Sequence, residues 1–180
     1  SWRITTTTLS LLNKIELVTG NGQWPEAWYM DAPEIIQHYA VSECLTYLAY
    51  CADERGMKAP QGEKTRLTMI NILQDYSISQ AYSLIWRSAA NAADYLVRRG
   101  VLKAQAANSI VTRLQNSADR ARAENWNVKG FARPKECPRS QFNHTLYDVF
   151  LKIGERGFTE SLKNMQLPNG YAVFPNSANF

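Results

Sequence analysis

Apolar positions recur with a helical period along most of this 180-residue chain. Between residues 103 and about 125, apolar side chains return every three to four residues, which places them on one face of an α-helix. The same spacing continues through residues 142–153. No strict apolar–polar alternation persists, although the β-branched run Thr5–Thr8 would allow one short extended piece. The pattern therefore predicts an all-α fold.

Helix-capping residues set the limits of the predicted helices. Asp31 with Glu34, and Ser77 with Gln80, have the spacing of a capping box, in which side chains satisfy free amides at a helix start. Gly100 can adopt the left-handed conformation that ends a helix. The predicted helices cover approximately residues 9–17, 31–54, 62–73, 77–99, 103–125 and 142–153, and a last short one starts at Thr159. We expect a single-domain bundle of six or seven helices over residues 1–180, with an irregular tail at 166–180.

The segment Ser77–Ala89 resembles the second half of a DNA-binding helix-turn-helix, because a polar turn precedes a capped helix that carries an arginine. The polar residues that share one face of this helix are Gln80, Ser83, Arg87 and Asn91. Apolar residues surround the axis from Ile78 to Val97, however, and this favours a central packing helix. We therefore expect three of its large side chains to be largely buried, namely Tyr82, Ile85 and Trp86.

The composition is that of a globular domain, with 45% hydrophobic and 20% charged residues. The first residue is Ser1, so we expect a domain of a longer bacterial-type protein. No apolar run approaches the length of a membrane span, and the N-terminus lacks a signal-peptide pattern. Three cysteines without CxxC spacing are typical of reduced thiols: Cys44, Cys51 and Cys137. Together these features predict a cytoplasmic location.

The formal net charge of +4 is unevenly distributed. Residues 1–97 contain 7 basic and 10 acidic residues, whereas residues 98–139 contain 10 basic and only 3 acidic ones. A segment this basic indicates an anionic partner. A solvated face, or cations that neutralise the acidic first half, would give the same composition.

Catalytic and metal-binding motifs are weak in this sequence. Glu34 and His38 are four residues apart on one predicted helix, but two histidines in the whole chain are too few for a convincing metal site. Cys137 and His144 could be imagined as a nucleophile and its base, yet no motif supplies an oxyanion donor. We expect no catalytic residues, no metal and no cofactor.

The functional hypothesis rests on the basic segment, residues 98–139. Arginine, lysine and asparagine side chains, with Trp126 and Phe131 nearby, are the groups that contact phosphates and stack on bases. We predict a non-catalytic binding or regulatory domain that contacts nucleic acid through residues 98–139. The alternative is a protein-interaction or immunity-type module that binds an acidic partner or the remainder of the parent chain. The predicted nucleic-acid contacts are Arg113, Asn116, Arg120, Lys129, Arg133, Lys135 and Arg139.

Overall fold

A computed structural model describes residues 9–11, 13, 14, 17 and 26–165. Within these residues the regular structure is helical and contains no strand, so the all-α prediction is confirmed. The predicted Thr5–Thr8 extension and the tail at 166–180 lie outside the described residues. Residues 9–11, 13, 14 and 17 are helical, as predicted for the first helix. The later helices are α1 (Glu26–Asp53), α2 (Glu63–Asp75), α3 (Ile78–Arg99), α4 (Lys103–Ala123), α5 (Gln141–His144), a π-helix (Thr145–Phe150) and α6 (Arg156–Thr159).

Helix α3 lies at the centre of the bundle, where it contacts α1, α2, α4 and α6. Its buried residues include Ile78, Tyr82, Leu84, Ile85, Ala89 and Ala92. The small side chains allow close approach of the neighbouring helices. Ser77 Oγ accepts from Gln80 N at 3.2 Å, and Gln80 Oε1 accepts from Ser77 N at 2.9 Å. Together with Gly100 at φ 60°, this confirms both predicted ends of α3.

The polar face of α3 is not available to read DNA bases. Ser83 is fully buried, and the Gln80 side chain donates to the carbonyl of Val128 at 3.0 Å. Only Arg87 and Asn91 of the predicted strip are exposed. A recognition helix needs a free polar face, so α3 is a core helix.

The predicted burial of Trp86 on α3 is wrong. Tyr82 and Ile85 are buried as expected, but Trp86 is 44% exposed. Its neighbours are the edge of the Phe131 ring, with centroids 6.0 Å apart, and the Arg55 guanidinium, 5.4 Å from the indole centroid. Because a loop residue and an arginine cover this side of α3 instead of a packed helix, the indole remains half in solvent.

The predicted start of the long helix at Asp31 is wrong. Helix α1 begins at Glu26 and contains Pro33 in its interior. Proline in a helix interior removes one backbone hydrogen bond. Packing of the first turns offsets that loss, since Ala32 is buried and Trp28 contacts Phe150 at a centroid distance of 5.7 Å.

The last predicted helices also differ from those in the structure. The α-helical spacing of residues 142–153 predicts one α-helix, but only α5 is α-helical and residues 145–150 form a π-helix. The wider turn buries both Leu146 and Tyr147. Helix α6 covers Arg156–Thr159, so it ends at the residue where the predicted helix starts. A Cβ atom at position 157 would overlap the Tyr147 ring, so glycine is required there for close packing.

The loop predicted at residues 126–138 is confirmed, since no helix covers it. Its backbone is fixed to the start of α3, where Phe131 N donates to Ser79 O at 2.8 Å. Across the described ranges, no helix has both the length and the apolar character needed to cross a bilayer.

Candidate nucleic-acid interface

Three of the predicted contact residues lie on one face of α4. Arg113, Asn116 and Arg120 follow at intervals of three and four residues, and Asn116 is exposed. Arg113 Nε donates to Ser109 Oγ at 3.2 Å, and its guanidinium lies 5.2 Å from the centroid of the Tyr95 ring. The hydroxyl and the ring hold the guanidinium against the helix, and Arg113 is partly buried.

Arg120 repeats this arrangement at the end of α4. Its side chain is 67% exposed, and its guanidinium lies 5.1 Å from the centroid of the Trp126 ring. Arg120 Nε donates to Glu124 Oε1 at 2.7 Å, and Trp126 Nε1 donates to the other oxygen of that carboxylate at 2.7 Å. The hydrogen bond from Arg120 lowers the pKa of Glu124. Each end of this face therefore pairs an arginine with an aromatic ring.

Arg122 lies on a different side of α4 and links it to α2. Its guanidinium contacts Asp75 at 2.7 Å and Asp119 at 2.8 Å, and it donates to the carbonyl of Asn71 at 2.8 Å. These contacts use the cation to join two helices, so Arg122 does not contribute to the exposed basic face.

Arg133, in the loop after α4, is almost buried. Its Nε donates to Glu43 Oε1 of α1 at 2.7 Å, and the two side chains are only 12% and 10% exposed. Its guanidinium also lies 3.7 Å from the centroid of the Phe158 ring. Burial alone would lower the pKa of Arg133, but the hydrogen bond and charge of Glu43 outweigh it and raise that pKa above its ordinary value.

Arg139 lies beside Arg133 in the same cluster. It is hydrogen-bonded to Asn143 and forms an ion pair with Asp148. Asn143 is fully buried, and its side-chain amide donates to Glu43 at 3.4 Å. Glu155 contacts both arginines. The structure thus brings Arg133 and Arg139 together, but as parts of an ion-pair cluster.

Lys129 and Lys135 complete the predicted set. Both are exposed, and within the described part of the chain neither forms an ion pair. Lys135 lines the same cleft as Arg133 and Arg139. The seven residues therefore divide into a solvent-facing set on α4, a largely paired set in the loop, and Lys129 in the connection between them.

Glu43 is one of the site residues that the sequence did not reveal. It is 90 positions from Arg133 and sits among apolar residues of α1, where a single acidic residue has no distinguishing pattern. The one available signal is a charged residue on the otherwise apolar side of a helix. Because buried charges need partners, such a residue predicts an ion pair within the fold.

The other residues considered for catalysis or metal binding have separate partners in the structure. His38 Nε2 lies 3.0 Å from Arg66, and His144 lies 3.3 Å from Asp148. Burial and the nearby charges of Glu136 and Glu43 raise the pKa of the Cys137 thiol, which disfavours the reactive thiolate. Over the residues that are described, no group of three or more histidine, cysteine or acidic side chains could hold a metal ion. Comparison with protein-family models, curated proteins and solved structures gave no match.

Proposed function

We propose that this chain is a non-catalytic, nucleic-acid-binding regulatory domain that uses the solvent-facing side of α4. One observation carries the proposal: Arg113 and Arg120 each lie beside an aromatic ring, Tyr95 or Trp126, with Asn116 between them. Seven residues of α-helix separate the backbones of Arg113 and Arg120 by about 10 Å along the axis. Their side chains can therefore contact different phosphates of one strand.

Single-stranded nucleic acid suits this face better than a duplex. A guanidinium can stack on a base, and its edge can bind a phosphate oxygen. Trp126 is itself 41% exposed and can also contact a base. By contrast, the helix with the best capping signal, α3, is a core helix and cannot enter a major groove.

We also infer that the protein is cytoplasmic. Cys44 and Cys51 are buried free thiols, and Cys137 is a free thiol that is partly exposed. Unpaired cysteines are typical of a reducing compartment.

A second candidate is a protein-interaction module, which the turn between α3 and α4 favours. Val97 and Leu102 on either side of Gly100 are 82% and 77% exposed. Exposed aliphatic side chains this close together are typical of a protein contact with an acidic partner or with the remainder of a parent chain, because Arg98 and Arg99 are next to them. The apolar part of such a contact would depend less on salt than phosphate binding does.

Fluorescence anisotropy with a labelled single strand of about 20 nucleotides tests the proposal. We expect binding at about 50 mM salt that weakens steeply towards about 200 mM. The double variant Arg113→Ala, Arg120→Ala should bind more weakly and flatten the salt slope by about 0.7 for each phosphate that the variant no longer neutralises.

The matched control is Arg66→Ala with Arg156→Ala, which removes two exposed arginines outside the basic segment. This control should bind like the wild type. If the wild type does not bind at about 50 mM salt, the nucleic-acid proposal is wrong and the interaction module remains. Equal weakening of both double variants would show that only net charge matters.

A further inference from the structure

A cleft of about 780 Å³ opens between the loop after α4 and helix α6. Phe131 and Phe158 contribute apolar walls, and Arg133, Lys135 and Arg139 contribute cationic groups. The volume lies in the range of about 300–1,000 Å³ that is usual for small-molecule sites, and an apolar cleft with a few convergent polar groups is their usual composition. The α4 face of the proposed function is not part of this cleft.

Glu155 bridges the two arginines at the cleft. Its Oε2 lies 3.3 Å from Arg133 Nη1, and its Oε1 lies 3.5 Å from Arg139 Nη1. These contacts are longer than the 2.7 Å between Arg133 Nε and Glu43. The Glu155 side chain is also 63% exposed, whereas Arg133 is almost buried. Glu155 is therefore the weakly held partner of two firmly held guanidinium groups.

Both arginines have contacts that do not involve Glu155 and would hold them if its side chain moved away. Glu43 holds Arg133 from α1, while Asn143 and Asp148 hold Arg139. A second oxyanion at the position of the Glu155 carboxylate would meet the same two Nη1 donors and leave the local charge balanced. Arginine pairs of this kind bind carboxylate and phosphate oxygens through charge-assisted hydrogen bonds.

We propose that this cleft binds a small aromatic oxyanion, a carboxylate or phosphate carried on a ring, whose anionic group replaces Glu155 between Arg133 and Arg139. The ring packs against Phe131 and Phe158, where it buries apolar surface. Lys135 is exposed at the rim and adds attraction for the anion. Glu155 thus acts as an internal competitor that occupies the anion position in the free protein.

Isothermal titration calorimetry on the whole chain tests this site with three ring compounds: phenyl phosphate, benzoate and neutral benzamide. The Glu155→Ala variant removes the competitor and should bind at least one of the two anions about tenfold more tightly than the wild type. Benzamide should bind neither protein. The stronger of the two anions identifies which oxyanion the cleft prefers.

Glu160→Ala is the matched control, because Glu160 is paired with Arg156 outside the cleft. This variant should leave anion binding unchanged. Arg139→Met should abolish anion binding. If this variant does not fold, the comparison of anion affinity between the wild type and Glu155→Ala still tests the proposal. The proposal is overturned if neither anion binds the Glu155→Ala variant at about 10 mM. Equal affinities of the wild type and Glu155→Ala, or binding of benzamide equal to that of the anions, would also overturn it.

Discussion

Arg120 and Arg133 have nearly the same local chemistry but different surroundings. Each guanidinium donates to a glutamate at 2.7 Å and lies beside an aromatic ring, with centroid distances of 5.1 and 3.7 Å. Arg120 is 67% exposed at the end of a helix, whereas Arg133 is 12% exposed between two helices and a loop. The difference in solvent contact decides what each arginine can do.

An exposed ion pair is weak because water screens both charges, and its members are easily redirected to another partner. A buried pair has lost that hydration, so neither member can be removed without leaving a charge in an apolar environment. Arg120 is therefore suited to exchange Glu124 for a phosphate. Arg133 is suited to fix the loop after α4 against α1.

The largest expected effect is at the buried pair. Glu43→Ala leaves Arg133 without its closest partner, and we expect a loss of about 3–5 kcal/mol in the free energy of unfolding. Urea denaturation followed by circular dichroism measures it. The double variant Glu43→Leu, Arg133→Met should recover much of that loss, since it leaves no unpaired charge. A loss below about 1 kcal/mol for Glu43→Ala would contradict the burial of the pair.

Arg122 should show an intermediate effect. It is partly exposed and links α4 to Asp75 and Asn71 of α2. Arg122→Ala should lower the unfolding free energy by about 1–2 kcal/mol, because charge-assisted hydrogen bonds are removed but water can replace them. The same denaturation measurement applies. A loss of unfolding free energy below about 0.5 kcal/mol would show that Arg122 contributes little to holding α4 against α2.

The smallest change in stability is expected at the exposed pair. Arg120→Ala should alter the unfolding free energy by less than about 0.5 kcal/mol, because the pair is solvated and alanine is a better helix former. Arg156→Ala, which breaks a similar exposed pair with Glu160 at 2.8 Å, is the control and should be equally mild. A loss above about 2 kcal/mol at Arg120 would show that it is a structural residue and unavailable for phosphate binding.

Local sequence determined most of the helices. The Ser77–Gln80 capping box, the left-handed Gly100 and the apolar period of α4 each involve residues a few positions apart, so their effect is visible without knowing the fold. The burial of Tyr82 and Ile85 followed from the apolar surface that surrounds α3. The helical face with Arg113, Asn116 and Arg120 followed from spacing alone.

Tertiary structure decided the features that depend on distant residues. Glu43 pairs with Arg133 across 90 positions. Trp86 remains half-exposed because only Phe131 and Arg55, and no packed helix, lie against its indole ring. Helix α1 starts before Pro33 because its first turns pack against the rest of the protein. Charge counting along the sequence treats all ten cations of residues 98–139 alike. Whether a cation is solvated or paired depends on which side chains the fold places beside it, and that placement is set by packing over the whole chain.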